Sequence, residues 1–203
     1  MPFVASAIRV RLRSNGSPST QSAGVSLAAL VDVGDDVALG GPYVPPLSSC
    51  FETFHESEVT QMLYACASPL PERDVAISPL GATDAPEMLA LVERTQPGPF
   101  RQRTVELGAF RGIREGGRLV AMAGERLWIG GFREVSGVCT DPAVRGRGYA
   151  MALIACVVNR MLRAGETPFL HVESGNAAAI ALYLRLGFER RARFRLVVAK
   201  RVR

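Results

Sequence analysis

The sequence contains few of the residue types that ligate metal ions or build disulfide frameworks. Its 203 residues include two histidines and four cysteines, and no two cysteines form a C-x-x-C pair. Zinc sites and disulfide scaffolds need ligands or cysteines at close, regular spacings. We therefore expect no metal site, and we expect reduced thiols of the kind found in cytoplasmic proteins.

Long apolar runs are also missing. No apolar run approaches the length of about 20 residues that a membrane-spanning helix requires, so we expect no membrane contact. The first 31 residues lack acidic side chains and contain several arginines and serines, as transit peptides do. Within them, however, residues 8–13 alternate apolar and basic side chains, which favours a strand. Residues 3–8 are too short an apolar segment for a secretory signal, and we expect a cytoplasmic protein.

Lysine is almost absent. Lys200 is the only lysine among 24 basic residues, and the net charge is +5. Arginine forms bidentate contacts with phosphate, so this bias weakly favours an anionic ligand. The hydrophobic content of 48% and charged content of 21% are typical of a globular protein that buries a core.

Residues 1–72 carry weaker patterns than the rest of the chain. Residues 25–31 and 37–39 are short apolar segments, residues 40–46 are rich in glycine and proline, and residues 56–67 suit either a helix or a strand. We predict a smaller N-terminal α/β segment without a catalytic constellation. It is a degenerate second copy of the main fold, a lid or a dimerisation piece, so a homodimer is one open alternative.

Residues 73–203 show a clear order of strands and helices. A capping box at Asp84 opens a helix, and Gly165 stands where a later helix should end. The predicted elements are, in order, strand 75–80, a helix from 84, a hairpin of strands 110–114 and 118–125, strand 132–140, helix 151–162, strand 168–173, helix 176–186 and strand 191–198. This order predicts a mixed, mostly antiparallel sheet flanked by helices, in the α/β (α+β) class.

The strand-to-helix junction at residues 138–150 is the strongest candidate for a binding site. Glycines in Arg145-Gly146-Arg147-Gly148 let an anion approach the backbone, and the first amides of the next helix are left without partners. We expect both guanidinium groups to point at one phosphate or pyrophosphate. A Rossmann dinucleotide site is disfavoured, because Met151 stands where the third glycine belongs.

Three motifs follow one another in the chain: Arg145-x-x-Gly148-x-Ala150, Asn176 at the start of the next helix, and Leu182-Tyr183-x-x-Leu186-Gly187-Phe188. With these motifs in this order, residues 74–200 resemble the GNAT superfamily of N-acetyltransferases. The run from Glu134 to Ala150 is similar to the FR47-like branch. Many members of that branch have histidine where this chain has Asp141, which we treat as a loop variation of little consequence.

The resemblance implies acetyl-CoA as the co-substrate. The strands ending near Thr140 and beginning near Phe169 should splay apart, with pantetheine bonded to backbone in the gap and pyrophosphate on the following loop. Asn176 would be a coenzyme contact, a helix N-cap or both. The implied coenzyme-binding residues are Val138, Cys139, Thr140, Arg145, Gly146, Arg147, Gly148, Tyr149, Ala150 and Asn176.

Two proton movements accompany acetyl transfer to an amine. An alkyl amine with a pKa of about 10.4 must lose a proton, which costs about 4–5 kcal/mol at pH 7. The resemblance implies Glu134 as the general base, acting through water; the alternative is a structural carboxylate paired with Arg133 or Arg118. It implies Tyr183 as the acid that protonates the coenzyme thiolate, although an aromatic at this helical spacing is also a common core residue.

Other polar residues of the motif have lesser expected roles. Backbone N–H groups near Val138 or Cys139 can hold the developing oxyanion. His171 is expected to be a strand residue rather than a base. A thiol nucleophile at Cys139 is disfavoured, because the motif contains no partner histidine.

The expected function is direct transfer of acetyl from acetyl-CoA to an amine in a ternary complex. A non-catalytic acyl-CoA-binding or regulatory protein on the same fold is the main alternative. Nucleic-acid binding by the C-terminal arginines is disfavoured, because aromatic side chains do not alternate with them. The acceptor stays open among peptide N-termini, lysine, polyamines, amino acids and antibiotic amines; the resemblance implies that residues 88–104 choose it.

Overall fold

Eight strands and three α-helices are built from the patterns described above. The computed structural model describes residues 27–203, so the strand predicted at residues 8–13 lies outside the described part. The strands are β1 (Asp36–Gly41), β2 (Phe51–Tyr64), β3 (Ser78–Leu80), β4 (Phe110–Glu115), β5 (Arg118–Ile129), β6 (Phe132–Thr140), β7 (Thr167–Glu173) and β8 (Phe188–Arg201). The helices are α1 (Ala85–Thr95), α2 (Tyr149–Arg163) and α3 (Ala177–Arg185).

The strands form one mixed sheet in the order β1-β8-β2-β7-β6-β5-β4-β3. The pairs β1–β8, β3–β4, β4–β5 and β5–β6 are antiparallel, whereas β6 and β7 are parallel. The parallel pair follows from the connection between these strands, because α2 carries the chain back to the same end of the sheet. The predicted fold class, a mostly antiparallel sheet flanked by helices, is confirmed.

The chain forms two compact units that are interleaved in sequence. Among the described residues, one unit comprises 27–60, 173–176 and 192–203, and the other comprises 61–172 and 177–191. The sequence predicts a single boundary after residue 72, which stays a prediction. Residues 56–67, for which the sequence left helix and strand open, belong mostly to strand β2.

The first unit is held together by strand pairing and a small core. Strand β1 pairs with β8 from Asp36–Lys200 to Gly41–Arg195. Val31, Val37, Phe51 and Ala199 form the buried cluster. Burial along β1 and β2 does not alternate, because β1 buries only Val37 and Ala38 and residues 52–58 of β2 are exposed or half-buried. The sequence pattern of these strands is therefore weak.

The second unit has a separate apolar cluster for each of its two main helices. Helix α2 buries an almost continuous stripe, including Leu153, Val157 and Met161, together with residues of the sheet. Helix α1 buries Met88 and Leu91 in another cluster. Each helix therefore covers apolar side chains of the strands, as an amphipathic helix on a sheet does.

Strand β6 contains a bulge close to its end. Between the pairs Met122–Cys139 and Gly124–Ser136, β6 has one more residue than β5. Gly137 has a φ of 62°, a left-handed conformation that glycine adopts without steric cost. The extra residue reverses which side of the sheet the following side chains occupy, so Cys139 joins the cluster under α1.

Candidate functional site

The loop between β6 and α2 has the geometry of an anion-binding turn. Gly146 and Gly148 both have a φ of 82°, and Gly148 is the N-cap of α2. The first helical bond of α2 runs from the Ala152 N–H to the Gly148 carbonyl at 3.1 Å. The amides just before it therefore lack partners within the helix, as the sequence predicts. A Cβ at position 146 would meet open space, so a ligand can approach that side of the backbone.

The two arginines of the loop differ in their partners. Arg145 Nε donates to the Thr140 carbonyl at 3.3 Å, which holds the side chain beside the loop. Arg147 Nη1 instead contacts both carboxylate oxygens of Glu115 at 2.9 and 3.1 Å. Tyr149 donates to the same carboxylate at 2.5 Å. In this structure Arg147 therefore pairs with Glu115 rather than pointing at one spot with Arg145. A contact of Arg147 with the coenzyme stays a prediction.

A third arginine, which the sequence did not single out, lies against the loop. The Arg73 guanidinium sits over Gly148, where a Cβ would overlap its Nη1 atom. Arg73 has no ion pair with a carboxylate within residues 27–203. Arg73 stands far from the loop motif in the sequence, so no sequence pattern predicted this contact. Arg73 and Arg145 are thus cationic side chains beside the loop that no carboxylate in the described part of the chain neutralises.

Asp141 fixes the beginning of the loop. Its Oδ1 accepts from the Ala143 N–H at 3.0 Å, and its Oδ2 lies 3.1 Å from Arg94 Nε and 3.4 Å from Arg118 Nη2. The hydrogen bond from Ala143, together with Arg94 and Arg118, lowers the pKa of Asp141. The carboxylate thereby joins helix α1 and strand β5 to the loop. These contacts suit a carboxylate at this position, since a neutral histidine would not pair with both arginines. The expectation that the variation has little consequence stays a prediction.

The parallel strands β6 and β7 separate at the candidate site. Their paired residues run from Phe132–Thr167 to Glu134–Phe169, although β6 continues to residue 140 and β7 to residue 173. Beyond the last pair, the Thr140 hydroxyl is buried without a hydrogen-bond partner in the described part of the chain. An unpaired buried hydroxyl is costly unless a ligand satisfies it. This arrangement fits a polar chain bound between the strands.

Neighbouring residues of β6 are apolar or inert. Val138 packs against the cluster under α2. Burial raises the pKa of the Cys139 thiol to about 11, so the thiol keeps its proton near neutral pH. A protonated, buried thiol is a poor nucleophile, which agrees with the preference against an acetyl-cysteine route.

Glu134 is a buried carboxylate enclosed by polar side chains. Its side chain is 1% exposed, and Arg126 donates to its two oxygens at 3.1 and 3.2 Å. His171 Nδ1 lies 2.9 Å from Oε1. Burial alone would raise the pKa of Glu134, but the charge of Arg126 and the hydrogen bonds from both neighbours lower it overall. The carboxylate is therefore ionised at neutral pH, and its arginine partner is neither of those that the sequence proposed.

Tyr183 is buried on α3 among aromatic side chains. Its ring centroid is 5.8 Å from that of Phe188, in an edge-to-face arrangement. Burial raises its pKa to about 12, so the hydroxyl stays protonated. Asn176 directly precedes α3, as predicted, and its N–H donates to the Glu173 carbonyl at 2.9 Å.

The described residues hold neither a cluster of side chains arranged for a metal ion nor a helix that could span a membrane.

The fold and this site together define an acetyltransferase architecture. A protein of the GNAT acetyltransferase family from Novosphingobium aromaticivorans is 40% identical to this chain. The alignment covers 87% of this chain and 79% of that protein, and the two structures superpose with a TM-score of 0.78. The ribosomal-protein-S18-alanine N-acetyltransferase of Escherichia coli is 23% identical over 63% of this chain and 93% of its own, with a TM-score of 0.53, and shares the fold.

Sequence comparisons give the same family. Residues 110–197 match the family model described as FR47-like protein. The mycothiol acetyltransferase of Kocuria rhizophila is 43% identical over 58 residues, which are 28% of this chain and 19% of that protein. The chain belongs to the GNAT family of acetyltransferases, whose members use acetyl-CoA, and the family predicted from the sequence is confirmed.

Proposed function

We propose that this protein transfers acetyl from acetyl-CoA to an amine by direct attack in a ternary complex. The observation that carries the proposal is the path of the chain itself, which leads from the point where β6 and β7 separate to the glycine loop at the start of α2. The Thr140 hydroxyl, which is buried without a hydrogen-bond partner among residues 27–203, lies on that path. A thioester, its pantetheine arm and its phosphates require these features in this order.

Coenzyme binding is proposed for the residues of this path. Backbone groups of Val138 to Thr140 would hold pantetheine, and the amides from Arg145 to Ala150 would hold pyrophosphate. Arg145 would add a charge-assisted hydrogen bond, and we add Arg73 because its guanidinium lies over the loop. Asn176 is proposed as a further contact from its place in the family motif. Arg147 would act mainly by holding Glu115.

Proton transfer is proposed for Glu134 and Tyr183. An ionised carboxylate on β6 can draw a proton from the amine through an intervening group, while backbone N–H groups at Val138 or Cys139 hold the oxyanion. The Tyr183 hydroxyl would donate to the departing thiolate, and its raised pKa keeps that proton in place until the thiolate forms. The coenzyme supplies the activated acetyl group, and these side chains move the protons.

Ligand-induced stabilisation and thiol release test the proposal. CoA and acetyl-CoA should raise the melting temperature, because a ligand that binds only the folded state stabilises it. Acetyl-CoA with a panel of peptides, amino acids, polyamines and aminoglycosides should release thiol. Tyr183→Phe should lower kcat about 100-fold and leave the CoA-induced shift intact. Binding of CoA without thiol release in any mixture would favour the non-catalytic alternative, and absence of binding would refute both.

A further inference from the structure

The carboxylate of Glu134 is shielded from any amine by its own neighbours. Its side chain is 1% exposed, whereas the side chain of His171, hydrogen-bonded to it, is 11% exposed. His171 is thus the outer member of the pair. A proton from the site reaches the imidazole before it reaches the carboxylate.

The hydrogen bonds define the tautomer of His171. An ionised carboxylate only accepts hydrogen bonds, so Nδ1, which lies 2.9 Å from Glu134 Oε1, carries the proton. Arg191 Nη1 donates to Gln61 Oε1 at 2.5 Å, and an arginine cannot accept. The Gln61 amide nitrogen therefore faces His171 Nε2, at 3.0 Å, and donates to it. These contacts place the ring proton of His171 on Nδ1 and a lone pair on Nε2.

The basic nitrogen lies where the two parallel strands have separated. The last pair joins Glu134 to Phe169, and His171 follows two residues further along β7. Because side chains alternate along a strand, Phe169 and His171 lie on the same side of the sheet. Their rings pack edge to face, with 5.6 Å between the ring centroids. The imidazole therefore lies beyond the last β6–β7 pair, at the separation of the strands to which the proposed function assigns the thioester.

Gln61 marks the place of a nitrogen donor. Its amide N–H points at Nε2 at hydrogen-bond distance, and an amine has the same donor polarity. An amine nitrogen at that position, with the Gln61 amide turned aside, would present its proton to the lone pair of Nε2. Glu134 on the opposite ring nitrogen would stabilise the imidazolium that results, as a carboxylate does for a catalytic histidine in hydrolases.

We propose that His171, rather than water, accepts the amine proton and that Glu134 orients and stabilises it. The inference rests on the proposed acetyl transfer and names its base. The amine binds in its neutral form, its first proton having gone to solvent. As its nitrogen bonds to the acetyl carbon, a second proton passes from that nitrogen to Nε2. The carbon–sulfur bond breaks, and the sulfur takes a proton from Tyr183. Afterwards the imidazolium returns its proton through solvent to the phenolate, which restores both residues.

Chemical rescue distinguishes this relay from a structural role of the ring. In His171→Ala, thiol release with the best amine of the panel should fall about 100-fold or more. Added imidazole should raise the rate of thiol release by this variant about tenfold, because imidazole can occupy the vacated space and accept the proton. His55→Asn is the matched control, since His55 is the other histidine and is about half exposed. It should keep wild-type rates.

Coenzyme binding and the ring tautomer complete the test. The CoA-induced rise in melting temperature should persist in His171→Ala, which shows that the variant is folded. In ¹⁵N NMR of His55→Asn, the remaining histidine should show the Nδ1-protonated neutral pattern. The inference is overturned by an Nε2-protonated ring, by an undiminished rate in His171→Ala, or by a loss that imidazole does not restore. Wild-type protein without turnover overturns the proposed function and this relay together.

Discussion

Two buried carboxylates on neighbouring strands differ in the groups that neutralise them. Glu125 and Glu134 are both 1% exposed. Glu125 is held by arginines alone, one from α2 and one from β6, whereas Glu134 is held by one arginine and His171. An arginine keeps its proton under all ordinary conditions, while an imidazole can gain or lose one. The cluster at Glu125 has a fixed charge, and the cluster at Glu134 can exchange a proton.

The carboxylates also face opposite sides of the sheet. Glu125 lies opposite Val135, and Val135 belongs to the cluster under α2. Glu134 precedes Val135, so its side chain points to the other side, where α1 packs. In this family α1 and its following loop are expected to choose the acceptor. On this comparison we propose that Glu125 stabilises the fold and that Glu134 takes part in proton transfer.

Neutralising each carboxylate in turn should have the largest effects on kcat and stability, and it tests directly whether the two carboxylates differ in role. Glu134→Gln should lower kcat by roughly 100- to 10,000-fold, because the amide cannot stabilise an imidazolium on His171. Glu125→Gln should keep kcat within about threefold but lower the free energy of unfolding by about 1–3 kcal/mol, since its arginine partners lose their buried acceptor. Thiol-release kinetics and urea unfolding measure the two quantities.

Equal losses of kcat in both variants would contradict the assignment. That result would mean that both carboxylates act only by holding the strands in place. The CoA-induced melting shift is the control for folding, and it should be present in both variants at pH 7.

Sequence patterns predicted the elements around these carboxylates but not their partners. β6 was predicted with its observed bounds, and α2 within two residues at its start, because strand alternation and a helical stripe are local signals. His171 and Gln61 are separated by 110 positions, and Arg191 and Gln61 by 130. No local pattern encodes such contacts. The glycine at position 137, inside a predicted strand, could have indicated the bulge.

The same distinction between occupied and available charges applies to the arginines of the loop, where a smaller effect is expected. Arg145→Ala should weaken CoA binding about tenfold, because a charge-assisted hydrogen bond to phosphate contributes about 1.5–3 kcal/mol before solvent exposure reduces it. Arg147→Ala should change the Kd by less than about threefold, since Glu115 already pairs with Arg147. Isothermal titration with CoA measures both.

Arg73→Ala extends this test beyond the motif. It should weaken CoA binding to an extent between those two variants, because Arg73 lies over the loop without a carboxylate partner among the described residues. A greater loss in Arg147→Ala than in Arg145→Ala would show that Glu115 releases its arginine to the coenzyme. The inference that an arginine paired with a carboxylate contributes little to coenzyme binding would then be wrong at this site.

The smallest expected effect is on the free energy of unfolding at acid pH, which tests whether Glu134 is held as an anion. The pKa of Glu134 is lowered in the folded protein, so its ionised form stabilises the fold above the unfolded value of about 4.3. This contribution is lost as the pH falls through the lower, folded pKa. Glu134→Gln lacks the titrating group and leaves Arg126 without its anion, so it should be less stable than wild type at pH 7. The gap should narrow as the pH falls below about 4, in urea unfolding at several pH values. A gap that is constant with pH would mean that Glu134 is not held as an anion, and the proton on His171 Nδ1 would then lose its acceptor.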